Sequence, residues 1–441
     1  MEMRTFKGGT HPPHHKDFTA RKAVEKAEEP SIVYIPMQQH IGAPCQPLVE
    51  VGDKVKVGQK IGNQQGFVCA PVHSSVSGVV KDIKSMVTPT GQTLCVIIES
   101  DGEDEIHESI KPPLDLSELT KEDILKIISE AGITGMGGAT FPTHVKLSPP
   151  PDKPIDTVIL NGAECEPYLT ADHRLMLESP ELILYGFKAI MKAVNVTKGF
   201  IGIESNKPDA IKTIETMLHP EDGITVVPLK VKYPQGAEKQ LIDACTGRKV
   251  PSGKLPMEVG VVVSNVGTAA AIGEALKTGM PLIERITTVT GNGVTEPKNL
   301  RVKIGTTFKA IIEQCGGYKG RTGKIIMGGP MMGLAQYTDE IPCTKGTSGI
   351  LILTEEEAKL PEPQNCIRCG RCVDVCPMGL APLTISAYSL RNMMDKAEAA
   401  HALDCIECGS CSFVCPSKRL LLEAIREAKN EINIKKSRQQ M

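Results

Sequence analysis

The 441-residue chain contains no tryptophan, and aromatic residues make up only 3% of it. It therefore lacks most of the side chains on which single-stranded nucleic acids stack. Its formal net charge is −2, so no strong overall field draws it to a polyanion. These two shortages argue against a nucleic-acid-binding protein.

Long apolar segments are also missing. The chain has no stretch of about 18 apolar residues, the length that a membrane-spanning helix needs. Its first seven residues contain no apolar run of the kind that signal peptides carry. We therefore expect any association with a membrane to come through partner subunits.

A disulfide framework is the third feature that we do not expect. Of the 15 cysteines, seven are scattered and odd in number. They are Cys45, Cys69, Cys95, Cys165, Cys245, Cys315 and Cys343. Scattered free thiols are typical of proteins in a reducing compartment.

The other eight cysteines form two runs with the spacing C-x2-C-x2-C-x3-C-P. The runs are Cys366, Cys369, Cys372 and Cys376, and then Cys405, Cys408, Cys411 and Cys415. In this pattern three cysteines of a run hold one [4Fe-4S] cluster and the fourth ligates the other cluster. We therefore predict that Cys415 completes the first set and Cys376 the second. Zinc ribbons are the alternative, but they need no such repeated four-cysteine run.

The rest of the chain reads as a multidomain α+β and α/β protein. We expect an extended arm over residues 1–29, and short strands between glycine turns over 30–100. An acidic linker follows at 101–120, and alternating helices and strands of an α/β domain at 121–283. In that domain we predict helices over Pro180–Val194 and Gly267–Lys277. The prediction ends with a β-grasp (SLBB-like) module at 284–355, a two-cluster, ferredoxin-like α-helical domain at 362–425 and a C-terminal tail at 426–441, which we expect to be frayed from Ile432.

The strands over 30–100 resemble the barrel-sandwich fold of lipoyl and biotinyl carrier domains. Those carriers present a modified lysine at a hairpin tip. The matching turn begins here at His73 and reads His-Ser-Ser-Val-Ser-Gly, without a lysine. We therefore expect a structural or docking role for this domain.

A glycine-rich segment follows the first helix of the α/β domain. It contains Gly135, Gly137 and Gly138, with Phe141 and Lys146 shortly after. Glycines allow the backbone to approach a phosphate, and free amide groups in such a loop form an anion nest. The segment is not G-x-G-x-x-G and does not follow a strand, so it does not indicate a Rossmann site. By itself it also fits an ordinary flexible loop.

Three further segments lie near the ends of predicted strands, where α/β folds place ligands. They contain Asn161, Glu164 and Glu166, then Tyr233, Gly236 and Glu238, and finally Asn265 and Thr268. Together with the glycine-rich segment they resemble the flavoprotein subunit of respiratory NADH dehydrogenase, the 51-kilodalton subunit of complex I. That family binds FMN and NADH on one α/β domain beside a β-grasp module and an iron–sulfur domain.

The resemblance implies roles for individual residues. Residues around the FMN phosphate, ribityl chain and ring would be Gly135, Gly137, Gly138, Lys146, Asn161, Glu164, Tyr233, Gly236, Glu238, Asn265 and Thr268. Residues on the NADH side would be Phe141, Glu166 and Glu238. Met136, Ala163 and Ala237 stand where the complex I family carries an arginine or acidic residues.

The order of all domains, with two cysteine runs instead of one, resembles the C subunit of the Rnf electron-transport complex. The resemblance implies a peripheral protein on the cytoplasmic face of the membrane, with FMN and two [4Fe-4S] clusters. It would exchange hydride with NAD(H), and its partners would be a ferredoxin-like iron–sulfur subunit, membrane subunits and, indirectly, ferredoxin. The parent complex is an ion-translocating ferredoxin:NAD+ oxidoreductase.

Two alternatives remain open from the sequence. Cobalamin reductases of bacterial microcompartments share much of this architecture. A non-enzymatic electron-transfer adaptor with a degenerate flavin pocket is the other, and the replaced positions Met136, Ala163 and Ala237 motivate it.

Overall fold

The structure is a computed structural model that describes residues 3–440. Its N-terminal arm has little regular structure and lies across other parts of the chain. A 3-10 helix spans Lys16–Phe18, and strand β1 spans Val24–Lys26. Phe6 and Lys16 are buried, so the arm is packed against the domains that follow it.

The barrel-sandwich domain contains seven strands. They are β2 (Ile32–Pro36), β3 (Gln46–Pro47), β4 (Lys54–Val55), β5 (Lys60–Asn63), β6 (Val72–His73), β7 (Gly78–Thr88) and β8 (Gly91–Ser100). They form antiparallel sheets of order β2-β8-β7-β4 and β3-β5-β6, with apolar side chains between them. The lysine-free turn after β6 is buried, and the Ser75 hydroxyl donates to the Ile304 carbonyl at 2.6 Å. The turn thus packs against the β-grasp module.

Residues 101–120 contain no helix or strand within the described chain, but they are not loose. The Val57 amide donates to the Glu105 carbonyl at 2.8 Å, and the His107 amide returns a bond to Val57 at 3.0 Å. The acidic segment therefore runs along the barrel-sandwich domain as an added edge.

The α/β domain is built on four strands and seven helices. They are α1 (Lys121–Glu130), α2 (Thr143–Lys146), β9 (Thr157–Gly162), α3 (Ala171–Glu178), α4 (Pro180–Ala193), β10 (Gly199–Glu204), α5 (Pro208–Met217), β11 (Ile224–Leu229), α6 (Glu238–Thr246), β12 (Val261–Asn265) and α7 (Val266–Thr278). Short 3-10 helices span Pro220–Asp222 and Pro256–Val259.

The four strands form a parallel sheet of order β11-β10-β9-β12. The apolar centre of β9, residues 158–160, is buried on both faces because both faces of a parallel sheet are covered. The chain builds outward from β9 through β10 and β11, and then crosses to place β12 on the other side. Sheets of this kind bind ligands beyond the carboxyl ends of the strands where the order reverses, here between β9 and β12.

Close packing of α4 against α7 depends on two glycines. A Cβ on Gly186 would lie 1.8 Å from the Ala269 carbonyl oxygen, and one on Gly273 would lie 2.2 Å from that of Leu182. The two helices can therefore approach only with hydrogen at these positions. This contact fixes the position of α7 and of the residues at its N-terminus.

The β-grasp module contains β13 (Glu284–Thr290), β14 (Lys298–Lys303), α8 (Phe308–Glu313), β15 (Thr322–Met327), β16 (Leu334–Gln336) and β17 (Gly349–Thr354). Its sheet has the order β1-β14-β13-β17-β15-β16, so the arm supplies one edge strand. Val24 of the arm pairs in parallel register with Asn299.

The cysteine-rich domain is helical. Its helices are α9 (Arg371–Asp374), α10 (Pro382–Ser389), α11 (Met394–Ala399), α12 (Ser410–Val414) and α13 (Leu421–Gln440), with a 3-10 helix at Ala402–Asp404. The short helices α9 and α12 occupy equivalent places in the two cysteine runs.

The expectation of a frayed tail from Ile432 is wrong for the described residues, because α13 continues to Gln440. Ile432 is buried against the other helices, and Lys436 pairs with Glu398 of α11 at 2.7 Å. These contacts hold the last turns in place, while Met441 lies outside the described residues. None of the helices in the described part of the chain is long and apolar enough to cross a bilayer.

Candidate cofactor sites at the sheet edge and between the cysteine runs

The glycine-rich loop joins α1 to α2 and lies against the N-terminus of α7. The Met136 amide donates to the Thr268 hydroxyl at 2.9 Å. A Cβ on Gly137 would lie 2.9 Å from the Asn265 Cβ, so the loop can lie this close only with glycine there. Gly137 and Gly138 are exposed, and among residues 3–440 their amides donate to no protein acceptor. The loop thus offers free amides beside a helix N-terminus, which suits an anion such as a phosphate.

Asn161 and Asn265 lie side by side at the carboxyl ends of β9 and β12, where they are register partners. The Asn161 side chain donates to the Gly236 carbonyl at 2.8 Å and accepts from the Ala163 amide at 3.1 Å. Asn265 caps α7 by accepting from the Gly267 amide at 2.8 Å. The structure therefore brings all four predicted segments together at the point where the strand order reverses.

Lys146 and Glu238 form an ion pair at the same edge. The ammonium of Lys146, at the end of α2, lies 2.7 Å from a carboxylate oxygen of Glu238, at the start of α6. Both side chains are about one-third exposed. A phosphate bound at the glycine loop would therefore compete with Glu238 for Lys146.

The Glu164 carboxylate caps α3. It accepts the amides of Asp172 at 2.7 Å and His173 at 3.2 Å. Lys16 of the arm donates to the carbonyls of Glu164 at 2.9 Å and Glu166 at 3.0 Å. Burial lowers the pKa of Lys16, and the Glu164 charge partly offsets that effect. The arm thus fixes the loop after β9, a role that its sequence of histidines and prolines does not indicate.

The Glu166 carboxylate contacts the β-grasp module. It accepts the amides of Met331 at 3.1 Å and Met332 at 2.8 Å. A Cβ on Gly329 would lie 2.2 Å from this carboxylate, so the loop needs glycine there. Burial raises the pKa of Glu166 to about 7. The contact of Glu166 with NADH stays a prediction.

Three charged residues at this edge were missed by the sequence reasoning: Glu204 and Lys207, which are buried, and Asp172, which is half-buried. Asp172 accepts from the Asn265 side chain at 2.7 Å, and burial followed by the Glu164 charge raises its pKa to about 7. Lys207 lies 3.5 Å from Glu204 and donates to the Ala163 carbonyl at 2.6 Å. The one available signal was Glu204 itself, a charged residue closing the apolar run of β10.

Tyr233 lies where the α/β domain meets the second cysteine run. Its hydroxyl is buried and has no hydrogen-bond partner among the described residues. Burial raises the pKa of Tyr233, and the nearby acidic groups Glu166, Cys165 and Cys408 raise it further. Phe141 is half-buried, and its carbonyl accepts from the Gly135 amide at 2.9 Å.

The structure brings Cys376 together with the three cysteines of the second run. The four line one cavity with Pro377, Met378 and Ile425. Burial raises the pKa of the Cys411 thiol to about 12, and the nearby Cys405, Cys408 and Cys376 raise it further. We call this group of four cysteines the inner set.

The remaining cysteines form the outer set: Cys366, Cys369, Cys372 and Cys415. Burial raises the pKa of the Cys372 thiol, and the nearby Cys415 and Cys366 raise it further. The fourth cysteine of each run thus lies with the opposite run, an arrangement that fits two clusters with crossed ligands. Ligation by these eight thiolates stays a prediction.

The inner set is the one next to the α/β domain. Thr10 of the arm exchanges backbone hydrogen bonds with Tyr233, and the neighbouring Gly9 amide donates to the Val375 carbonyl at 2.8 Å. A Cβ on Gly409 would lie 3.1 Å from the Met331 carbonyl oxygen. Gln240 of α6 donates to the Pro377 carbonyl at 3.3 Å. The arm, α6 and the β-grasp loop therefore all pack on the inner set.

Four protein-family models match the chain in the order of its domains. They are the RnfC Barrel sandwich hybrid domain (residues 4–103), the Nuo51 FMN-binding domain (128–274), the SLBB domain (286–335) and the 4Fe-4S dicluster domain (358–416). The α/β domain, the β-grasp module and both cysteine runs each fall within a family of known type.

Two curated proteins are similar over nearly the whole chain. The C subunit of the Na(+)-translocating ferredoxin:NAD(+) oxidoreductase complex of Acetobacterium woodii is 54% identical, covering 97% of each chain. The C subunit of the proton-translocating ferredoxin:NAD(+) oxidoreductase complex of Clostridium ljungdahlii is 52% identical over 97% of this chain and 94% of its own. A solved structure, the H2-reduced NAD+-reducing [NiFe]-hydrogenase, matches 71% of this chain and 63% of its own with 18% identity and a TM-score of 0.49.

Proposed function

Since the chain belongs to the family of C subunits of ion-translocating ferredoxin:NAD(+) oxidoreductase complexes, we propose that it is the flavin- and cluster-bearing electron-transfer subunit of such a complex. It would exchange hydride with NAD(H) at FMN and relay single electrons through two [4Fe-4S] clusters. The FMN-binding and dicluster domains support both cofactors. A cobalamin reductase is not favoured, because the full-length relatives are C subunits of these complexes.

One observation carries this proposal: the segment from Tyr233 to α6 links the sheet edge to the inner set. The Gly236 carbonyl accepts from the Asn161 side chain at 2.8 Å, and Gln240 of α6 donates at 3.3 Å to the carbonyl of Pro377, a residue that lines the cysteine cavity. A flavin at the edge would therefore have a cluster as its neighbour within the same chain. This arrangement suits a cofactor that takes two electrons at once and passes them on singly.

The residues at the edge suit different parts of FMN. The exposed amides of Gly137 and Gly138, with Lys146, would hold the phosphate. Asn161 and Gly236, at the end of β9, would face the ring and its chain. FMN, when bound, supplies the hydride chemistry, and the protein supplies position and electrostatics.

The other predicted residues divide into two groups. Gly135, Asn265 and Thr268 shape the glycine loop, and Glu164 shapes the loop after β9. Phe141 and Glu238 stay our candidates for the nucleotide side, and Tyr233 stays a candidate for the FMN site. The Glu166 carboxylate already accepts hydrogen bonds from the Met331 and Met332 amides. It would therefore bind the nucleotide only in addition to these two bonds.

The order of electron carriers follows from burial. Cys408 and Cys411 of the inner set are buried, whereas Cys366 and Cys369 of the outer set are exposed. The outer cluster is therefore the one that a partner protein can approach. We place it between the inner cluster and the partner, so that electrons pass between flavin and partner through both clusters.

Other subunits of the complex are the partners that family membership implies. We further propose a ferredoxin-like iron–sulfur subunit as the neighbour of the outer cluster, with ferredoxin as the distant donor. The chain would lie on the cytoplasmic face of the membrane, held by membrane subunits. The exposed outer cysteines support a docking partner at that end.

Retention of FMN tests the phosphate site. Lys146→Ala should weaken FMN binding by about 10- to 100-fold, because a charge-assisted contact contributes about 1.5–3 kcal/mol. Lys126→Ala, at an exposed position of α1 in the same domain, is the matched control and should bind FMN normally. Equal FMN affinity of both variants would place the phosphate elsewhere.

Anaerobic bleaching of the flavin by NADH tests the function itself. We expect the isolated chain, loaded with FMN and clusters, to be bleached without any membrane subunit. Lys146→Ala reloaded with excess FMN should also bleach, since that lysine serves flavin binding. A fully flavinated wild-type chain that NADH does not bleach would favour the adaptor, in which the chain only relays electrons.

A further inference from the structure

Three metal-ligating side chains meet inside the barrel-sandwich domain, apart from the flavin edge and the cysteine runs. They are His40, Cys45 and Cys69, and all three are buried. The two sulfur atoms lie 3.6 Å apart, and Cys69 Sγ lies 3.6 Å from His40 Nε2. All three ligand atoms lie within 4.8 Å of one another.

These separations match the edges of a tetrahedral zinc site. With Zn–S bonds of about 2.3 Å and Zn–N bonds of about 2.0–2.1 Å, tetrahedral angles give a sulfur–sulfur edge of about 3.8 Å and a sulfur–nitrogen edge of about 3.6 Å. Cys45, Cys69 and His40 therefore stand close to ligating distance from one common point. No large rearrangement is needed to bring them there.

The surroundings of His40 also suit a metal ligand. Its Nδ1 lies 3.2 Å from the Ile41 carbonyl oxygen, an acceptor that would hold the proton on Nδ1 and leave Nε2 unprotonated. A backbone carbonyl in this position is a usual second partner of a zinc-bound imidazole. Nε2 accepts the Ala70 amide at 3.0 Å, a hydrogen bond that a metal bond would replace.

Charge favours a divalent ion at this buried position. Binding would displace the two thiol protons, and two thiolates would then cancel the charge of the ion. A neutral group avoids the large cost of an unpaired buried charge. An oxygen donor for a fourth position is within reach, since the Ala70 carbonyl oxygen lies 3.2 Å from Cys45 Sγ.

We propose that His40, Cys45 and Cys69 bind one zinc ion, which fastens two loops of the barrel-sandwich domain to each other. One loop lies between β2 and β3, and the other between β5 and β6. The loops already touch, because the Ala43 amide donates to the Val68 carbonyl at 3.2 Å. Thiolate and imidazole ligands with tetrahedral edges select zinc over magnesium or calcium, which prefer oxygen.

The metal would also affect helix α2 of the α/β domain, which packs against one of the two loops. His144 Nε2 of α2 lies 3.2 Å from the Phe67 carbonyl oxygen, two residues before Cys69. The same short helix carries Lys146. A zinc ion would therefore make rigid the loop against which α2 packs.

Zinc content and zinc-edge X-ray absorption of the full chain test this site. The chain should be loaded with FMN and clusters, exposed to zinc, treated with EDTA and desalted. We expect about one zinc per chain, with two Zn–S distances of about 2.3 Å and at least one Zn–N distance of about 2.0 Å. The zinc edge is not affected by iron or flavin.

Two variants complete the design. Cys45→Ser combined with Cys69→Ser should lose the zinc and keep the iron. Cys95→Ser is the control, because Cys95 is buried in the same domain and its sulfur has a single hydrogen-bond partner among the described residues, the Thr93 carbonyl at 3.7 Å. It should keep both metals.

Three results would overturn the proposal. A wild-type chain with no more zinc than the double variant has no site here. A first shell of four sulfurs would place the zinc in a cysteine run that lacks its cluster. A Cys45–Cys69 disulfide found by mass spectrometry after anaerobic purification would make the pair a redox pair instead. If the double variant does not fold, the absorption spectrum of the wild-type chain decides alone.

Discussion

The two cysteine runs share one spacing and one backbone path, yet they lie in different surroundings. Arg368 and Glu407 occupy the same place in their runs and have φ of 56° and 59°. The glycines that begin the two short helices, Gly370 and Gly409, have φ of 79° and 76°. Cys369 is nevertheless exposed, whereas its equivalent, Cys408, is buried.

The difference comes from what packs on each run. Glu407 is bonded to Arg426 at 2.9 Å and to Lys429, both on α13, and Gly409 lies against the Met331 carbonyl. Arg368 is exposed and has no ion-pair partner among the described residues. The spacing is the same in both runs, and the rest of the fold determines that the second run is covered while the first is exposed.

Replacement of the fourth cysteine in each run should give the largest difference between the two clusters. We expect Cys376→Ala to damage the inner cluster and Cys415→Ala the outer one, because each fourth ligand crosses to the opposite run. Each variant should lose about half of the roughly eight irons. EPR of the reduced proteins, with iron analysis, identifies the cluster that remains. Loss of the outer cluster in Cys376→Ala would show that the ligand sets are wrong.

The pH dependence of stability at Glu166 tests what packs on the second cysteine run, because the Glu166 carboxylate binds the loop of Met331 and Met332 that contacts this run. Burial raises its pKa to about 7 in the folded state. A carboxyl group whose pKa is higher in the folded than in the unfolded state stabilises the fold at low pH. This stabilisation is complete below the unfolded-state pKa of about 4.5 and is lost as pH rises through the folded-state pKa of about 7. From about pH 5 to about pH 8, the wild-type chain should thus lose on the order of 2–3 kcal/mol relative to Glu166→Gln.

Thermal unfolding of both proteins at the two pH values measures this difference. Glu427→Gln, at an exposed position of α13, is the control and should follow the wild type. Parallel pH curves for the wild type and Glu166→Gln would mean that the carboxyl is ionised throughout.

Replacement of Glu407 should have the smallest of these effects on stability. Arg368, at the equivalent position of the first run, provides the matched comparison. Glu407→Gln should destabilise the chain by about 1 kcal/mol, because it leaves Arg426 and Lys429 without their carboxylate in a partly exposed place. Arg368→Gln should leave stability unchanged. Unfolding midpoints of the two variants under anaerobic conditions give the comparison, and equal shifts would mean that α13 does not distinguish the runs.

Much of the architecture was accessible from the sequence because local patterns specify it. The apolar spacing of Pro180–Val194 predicted a helix that the structure has at Pro180–Ala193. Gly267–Lys277 likewise lies within α7. The glycine loop and the strand-end polar residues were recognised because each stands beside a predicted strand or helix.

What escaped prediction depends on distant contacts. Helix α3 has no side-chain cap from Thr170; Glu164, eight residues before Asp172, accepts the amides of its first turn instead. The last turns of α13 are held by ion pairs to α11. Lys16 reaches carbonyls about 150 residues away in the chain. Periodicity cannot indicate partners that only the tertiary fold brings together.

Cluster reoxidation by NAD+ tests the central claim most directly, namely that the inner cluster connects the flavin with the outer cluster. Wild type, Cys376→Ala and Cys415→Ala would be reduced with dithionite, freed of it and mixed with NAD+, while EPR follows each cluster. We predict that the outer cluster of Cys376→Ala reoxidises far more slowly than in the wild type, whereas the inner cluster of Cys415→Ala reoxidises at the wild-type rate. An outer cluster that reoxidises equally fast without the inner one would contradict the account.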